Sequence, residues 1–148
     1  MLLWDNRYLS EAIREYEYLL EKHPHNFGFS HQLARLLAKD RRRNDDAIRE
    51  FERLVKERPH DMALREEYAR ALAKNRSHFH AAKKQFEIVL RKKSSFTTRL
   101  AYAELLARGR STRDEALAQY RKLVTKDSKN MSPYRPSPGT PMNQPVRR

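Results

Sequence analysis

An alanine followed four residues later by an aromatic occurs four times along this chain, as Ala12/Tyr16, Ala47/Phe51, Ala82/Phe86 and Ala116/Tyr120, at intervals of 35, 35 and 34 residues. The apolar pairs Leu19-Leu20, Leu54-Val55, Val89-Leu90 and Leu123-Val124 keep the same register behind each aromatic. A second block, Leu33-Ala34-x-x-Leu37, Tyr68-Ala69-x-x-Leu72 and Tyr102-Ala103-x-x-Leu106, precedes the last three pairs and recurs at 35 and 34 residues. A fixed period of this length marks a stacked repeat, in which each unit buries its apolar face against its neighbours. In both blocks apolar residues fall at i, i+3 or i+4 and i+7, the stripe of a helix buried on one side, and the small alanine lets a partner helix approach closely. Each unit is therefore predicted to hold two amphipathic helices.

The boundaries are written in the punctuation. Of 148 residues only 3 are glycine and 7 proline, and five of those prolines (Pro133, Pro136, Pro138, Pro141, Pro145) fall in the last sixteen residues. The body is rich in Ala, Leu, Glu, Lys and Arg, which lose little side-chain freedom in a helix, so an all-α fold is expected. Pro24 and Pro59 stop two helices, Asn44-Asp45-Asp46 offers an N-cap with acids on the positive helix end, and Thr112-x-x-Glu115 matches a capping box. Helices are expected near 10–22, 26–39, 44–57, 61–74, 78–92, 96–108 and 112–126. Residues 128–148, rich in Pro, Ser, Asn and Arg, cannot bury enough apolar surface to order themselves and are expected to form a disordered tail. Within it, Ser132-Pro133-Tyr134-Arg135-Pro136 has the composition of an extended proline-rich ligand.

The spacing and the two motifs resemble the tetratricopeptide repeat family, whose helix A carries Leu-Gly/Ala-x-x-Tyr/Leu and whose helix B carries Ala-x-x-x-Phe/Tyr before a closing proline. The resemblance covers residues 1 to about 127 and departs from the family in three ways. Ser30, Arg65 and Arg99 stand where helix A has its tryptophan, Ser94 and Ser128 replace the closing proline, and two units carry one extra loop residue. The resemblance implies an α-solenoid of antiparallel hairpins, about three and a half repeats in a right-handed superhelix, with units at 1–25 (partial), 26–60, 61–94 and 95–127. Counting back 35 residues from Leu37 reaches Leu2, so Leu2, Leu3 and Trp4 are expected to be the last turn of a helix A whose body is absent, as in a fragment of a longer array.

Such a solenoid implies a concave groove lined by the A helices, and the expected function is to bind a protein or peptide there. The groove residues expected to carry it are Gln32, Arg35, Lys39, Arg70, Lys74 and Arg108, beside His31, Glu66, Glu67, Leu100 and Glu104. Arg35 with Arg70, and Lys39 with Lys74 and Arg108, form two basic rungs suited to an acidic peptide, because guanidinium groups take carboxylates bidentately. The plainer alternative is that these are solvated charges on helix C-terminal turns, where cations are favoured. Helix A lacks the Asn needed for the carboxylate clamp of some family members, and that role is not carried over.

No catalytic set, cofactor or metal is expected. Glu66-Glu67 and Asp45-Asp46 have no nucleophile at readable spacing, no Gly-rich phosphate loop occurs, and His78-Phe79-His80 lacks a third ligand. The formal charge of +13 and the runs Arg41-Arg42-Arg43 and Arg91-Lys92-Lys93 make a nucleic-acid-associated repeat protein the second reading. Against it, Tyr16, Phe51, Phe86 and Tyr120 are committed to the core, and Phe27, Phe29, Phe79 and Phe96 begin helices at packing positions, leaving few aromatics for base stacking. The chain shows no secretion signal and no apolar run approaching the roughly 20 residues of a membrane span. Its exposed end helices offer a surface for self-association.

Overall fold

A computed structural model describes residues 3–130 as seven α-helices: α1 (Leu3–Lys22), α2 (Phe27–Lys39), α3 (Asn44–Glu57), α4 (Met62–Ala73), α5 (Phe79–Lys92), α6 (Phe96–Arg108) and α7 (Arg113–Asn130). No strand occurs among the described residues. Helices α2/α3, α4/α5 and α6/α7 form the hairpins, α1 packs on α2, and α3/α4 and α5/α6 join successive units. α2, α4 and α6 are therefore the A helices, and α1, α3, α5 and α7 the B helices. The tail lies, from residue 131 onward, outside the described residues, as does Leu2. α7 continues to Asn130, past its expected end at 126.

The periodic residues form one core. Ala34, Ala47, Ala69, Ala82 and Ala103 are wholly buried where helices cross, and Phe51 and Phe86 fill the space beside them. Each such ring contributes about 3–5 kcal/mol against truncation to alanine. The polar residues in the tryptophan position of helix A are fastened instead of stacked. Arg65 Nη1 donates to Gln85 Oε1 at 2.6 Å and Nη2 to the Pro59 carbonyl at 2.9 Å. One repeat later, Arg99 donates to Gln119 Oε1 at 2.6 Å and to Ser94 Oγ at 2.8 Å. Ser30, the smallest of the three, accepts from Arg53 at 2.8 Å.

Three local expectations change. The first unit was expected to start with a severed turn before a helix at 10–22, but Leu3–Lys22 is one continuous helix. Residues 5–8, Asp-Asn-Arg-Tyr, contain neither Gly nor Pro, and among the described residues no helix A body pulls them into a turn. Asn44 does not cap α3: the cap position is Arg43, without a side-chain cap, and Asn44 is buried in the first turn with Nδ2 donating to the Ala71 carbonyl at 3.3 Å. Thr112 forms no capping box, because its hydroxyl donates to the Leu106 carbonyl at 2.6 Å while Glu115 pairs with Lys83 at 3.3 Å. Side-chain caps fall instead on Asn26, Asp61 and Ser95, each accepting the backbone N–H three residues on.

At the far end, Leu117 and Val124 of α7 are 50% and 68% exposed, although their repeat partners in α3, Ile48 and Val55, are 8% and 7% exposed under α4.

Candidate functional site

Helices α2, α4 and α6 place their unburied residues on one face because Leu33, Leu37, Leu64, Tyr68, Leu72, Tyr102 and Leu106 hold the other face in the core. On that face the expected basic rungs are already paired. Arg35 Nε donates to Glu67 Oε2 at 2.6 Å and Nη2 to Oε1 at 3.4 Å, while His31 Nε2 lies 2.6 Å from Glu67 Oε1. Arg70 donates to Glu66 Oε2 from Nε at 3.1 Å and from Nη2 at 2.7 Å, and Nη2 reaches the Thr97 carbonyl at 3.4 Å. Thr98 Oγ1 donates to the other Glu66 oxygen at 2.8 Å. Glu67 therefore ties α4 to α2, and Glu66 ties α4 to α6.

The lower rung caps helices. Lys74 Nζ donates to the Ala38 carbonyl and Arg108 Nη1 to the Ala73 carbonyl at 2.8 Å, so α2 and α4 each have an orphan C-terminal carbonyl satisfied by a cation from the next unit. Partial burial of the Lys74 ammonium at that helix end holds it below the usual lysine range. Gln32 and Lys39 are exposed. The six expected residues thus divide: Arg35 and Arg70 bridge neighbouring helices, Lys74 and Arg108 cap them, and Gln32 and Lys39 face solvent.

Sequence reading named Glu66 and Glu67 on this face without pairing them to the arginines. Arg35 and His31 lie 32 and 36 residues from Glu67, and only the stack brings them together, whereas Arg70 and Glu66 are an i,i+4 pair on one helix. A second polar cluster was missed. The turns at Arg41–Arg43 and Arg76–His78 border a cavity of about 670 Å3 lined by Lys39, Arg41, Arg42, Lys74 and Arg76, with Asn44 and Asp45 at the start of α3. The available signal was Asn44 in a repeat position that the next unit fills with Phe79.

Elsewhere the chemistry is sparse. Phe96, expected at a packing position, is 47% exposed because it opens α6 at its edge. Among the described residues no three His, Cys, Asp or Glu side chains converge as a metal site requires. His78 Nε2 faces Asp45 at 3.7 Å, and His80 stacks edge-on against Phe79. No described helix is long and apolar enough to cross a membrane.

Residues 31–78 match the family model of the tetratricopeptide repeat. No curated protein matches the chain in sequence. Among solved structures it is similar to a MamA mutant, at 21% identity and a TM-score of 0.67 over 78% of this chain and 63% of that one. It is also similar to MamA MSR-1, at 18% identity and a TM-score of 0.71 over 84% of this chain and 71% of that one. The chain spans less than two thirds of the first of these. Likeness at such identity establishes the fold alone, here a stack of helical hairpins.

Proposed function

We propose, from a chain built of tetratricopeptide repeats, that its work is to hold a protein or peptide as a non-catalytic scaffold, with the A-helix face making the contact. The carrying observation is that Arg35 and Arg70 stand side by side on consecutive A helices, oriented by Glu67 and Glu66 and still about half exposed. A guanidinium has five N–H donors in a planar fork, and neither carboxylate occupies more than two of them. The remaining donors, preorganised at no cost to the ligand, suit the carboxylates or carbonyls of an acidic peptide laid across the repeats. Gln32 and Lys39 extend the same face in α2, and Lys74 and Arg108 border it where they cap the neighbouring helices.

The test is affinity capture with nuclease present, using the chain and a variant with Arg35, Arg70 and Lys74 changed to Gln. Glutamine avoids setting new acids against Glu66 and Glu67. A protein held by the first and reduced at least tenfold by the second is the expected result, with circular dichroism showing both folded. Equal capture would rule out this face and turn attention to the apolar end of α7 at Leu117 and Val124. Capture that disappears with nuclease would move the function to nucleic acid.

A further inference from the structure

The cavity between the α2/α3 and α4/α5 hairpins is strongly cationic. Five cations line it (Lys39, Arg41, Arg42, Lys74 and Arg76), against the single carboxylate of Asp45. Among the described residues Lys39, Arg41 and Arg76 enter no ion pair, and Arg42 reaches Asp40 only at 3.4 Å. Lys74 spends its ammonium on the Ala38 carbonyl, a neutral partner that leaves the charge unbalanced. Like charges gathered around one concavity repel one another, and its walls focus the field on whatever enters.

The cavity is a property of this unit and not of the repeat. The corresponding space one repeat on, bounded by Ala73, Arg76, Leu105, Arg108 and Gly109, shrinks to about 180 Å3 because Phe79 occupies the position held by Asn44. Asn44 is buried, with Nδ2 donating to the Ala71 carbonyl, and its short side chain leaves open the space that an aromatic would have closed. No aromatic side chain lines the space, which gives a nucleic-acid base nothing to stack on. What remains is a receptor for a compact, multiply charged anion.

We propose that this cavity binds a phosphate monoester. Such a group carries a charge of about −1.5 to −2 near neutral pH and three strong acceptor oxygens, and so balances the cations around it better than a lone carboxylate. Arg41, Arg42 and Arg76 supply planar forks for bidentate contact, and Lys39 adds a mobile ammonium. The group can come from a free phosphorylated small molecule or from a phosphorylated side chain of a protein, and the chemistry at the cavity is the same. The cavity shares Lys39 and Lys74 with the edge of the A-helix face, but neither Arg35 nor Arg70 lines it, and Arg41, Arg42 and Arg76 belong to the cavity alone.

Calorimetric titration of the full chain at fixed ionic strength tests it, with phenyl phosphate and a phosphoserine peptide as probes and the unphosphorylated peptide as reference. Arg41→Gln with Arg76→Gln should weaken binding at least tenfold. Arg110→Gln with Arg113→Gln, an equal charge change at the exposed next turn, should leave it within twofold. Asn44→Phe, verified as folded by circular dichroism, should abolish binding by closing the cavity. Equal affinity for the two probes identifies a free phosphorylated compound, and a tenfold preference for the peptide identifies a protein source; either supports the site. The proposal is overturned if neither probe saturates, if both arginine pairs weaken binding alike, or if Asn44→Phe binds as before. It is overturned in favour of nucleic acid if single-stranded RNA displaces phenyl phosphate and is itself weakened equally by both pairs.

Discussion

The turn that follows α2 and the turn that follows α4 share a backbone and differ in what holds them together. Each is a short 3-10 turn whose first residue accepts a backbone N–H two residues on, Asp40 from Arg42 at 3.0 Å and Asn75 from Ser77 at 2.9 Å. Each delivers the chain into a B helix at the same repeat position, Asn44 in one and Phe79 in the other. The first is held by charge: Arg43 pairs with Asp46 at 2.7 Å and with Glu17 of α1 at 3.2 Å, and an open cationic cavity lies beside it. The second is sealed by a ring, with Phe79 over Gly109 and Leu105. The repeat fixes where the backbone goes, and one side chain per unit decides whether the turn is a packed joint or a polar opening.

Breaking the sealed turn should have the largest effect. Phe79→Asn gives the third unit the residue of the second, removing the ring from Ala73, Leu105 and Gly109 without providing cations to use the space. A half-buried phenylalanine lost in this way costs about 2–3 kcal/mol, at the lower end of the range for large-to-small core changes. Urea denaturation should show the midpoint falling with an unchanged slope. If stability hardly moves, the ring is not what seals the turn.

Gly109→Ala tests the other side of the same joint. An added Cβ would lie 2.4 Å from Thr112 Oγ1 and 3.1 Å from Phe79 Cζ. Thr112 would have to rotate away from the Leu106 carbonyl, which would keep only the Gly109 N–H, and the ring would have to shift. Overpacking and the lost hydrogen bond together should cost about 1–3 kcal/mol. The ring's share is separable: in a double-mutant cycle with Phe79→Asn the two costs should fall short of additive, whereas additivity would place the whole effect on Thr112.

The sequence disclosed the parts of this comparison that depend on period and concealed those that depend on distance. Hairpin boundaries followed from alanines and aromatics in fixed register, and all seven helices lie near their expected places, because apolar periodicity is a local signal that burial amplifies. α1 ran past its expected start because turn formation there depended on a partner helix, not on residues 5–8. Asn44 read as a cap from its residue type, since Asn before acids has that signature, but its neighbour Ala71 lies 27 residues away and draws it inward. The A-helix face was legible in position and only partly in charge state: Arg70 and Glu66 are an i,i+4 pair within α4, but the pairing of Arg35 with Glu67 follows from the offset between stacked units.

The smallest expected effect separates the two turns by pH. The Arg43 guanidinium hydrogen-bonded to Asp46 holds that carboxyl below its ordinary value of 3.8, against the opposing pull of burial, with Arg49 adding a further contact. A folded-state value below the unfolded one means that the pair's stabilisation is complete above about pH 4 and is lost as pH falls through the lowered value. Asp46 is about one-third exposed, so solvent screening limits the contribution to roughly 0.3–1 kcal/mol. Asp46→Asn should therefore lower stability by that amount at pH 7 and converge on the parent protein below pH 3, with the gap also narrowing in high salt. The third unit has Ala81 at that repeat position and His78 opposite, so Ala81→Asn should show no acid-dependent gap of this kind. A loss at position 46 that stays constant from pH 7 to pH 3 would mean that this side chain supports its turn through packing, and the contrast between a turn held by charge and one held by a ring would lose its electrostatic half.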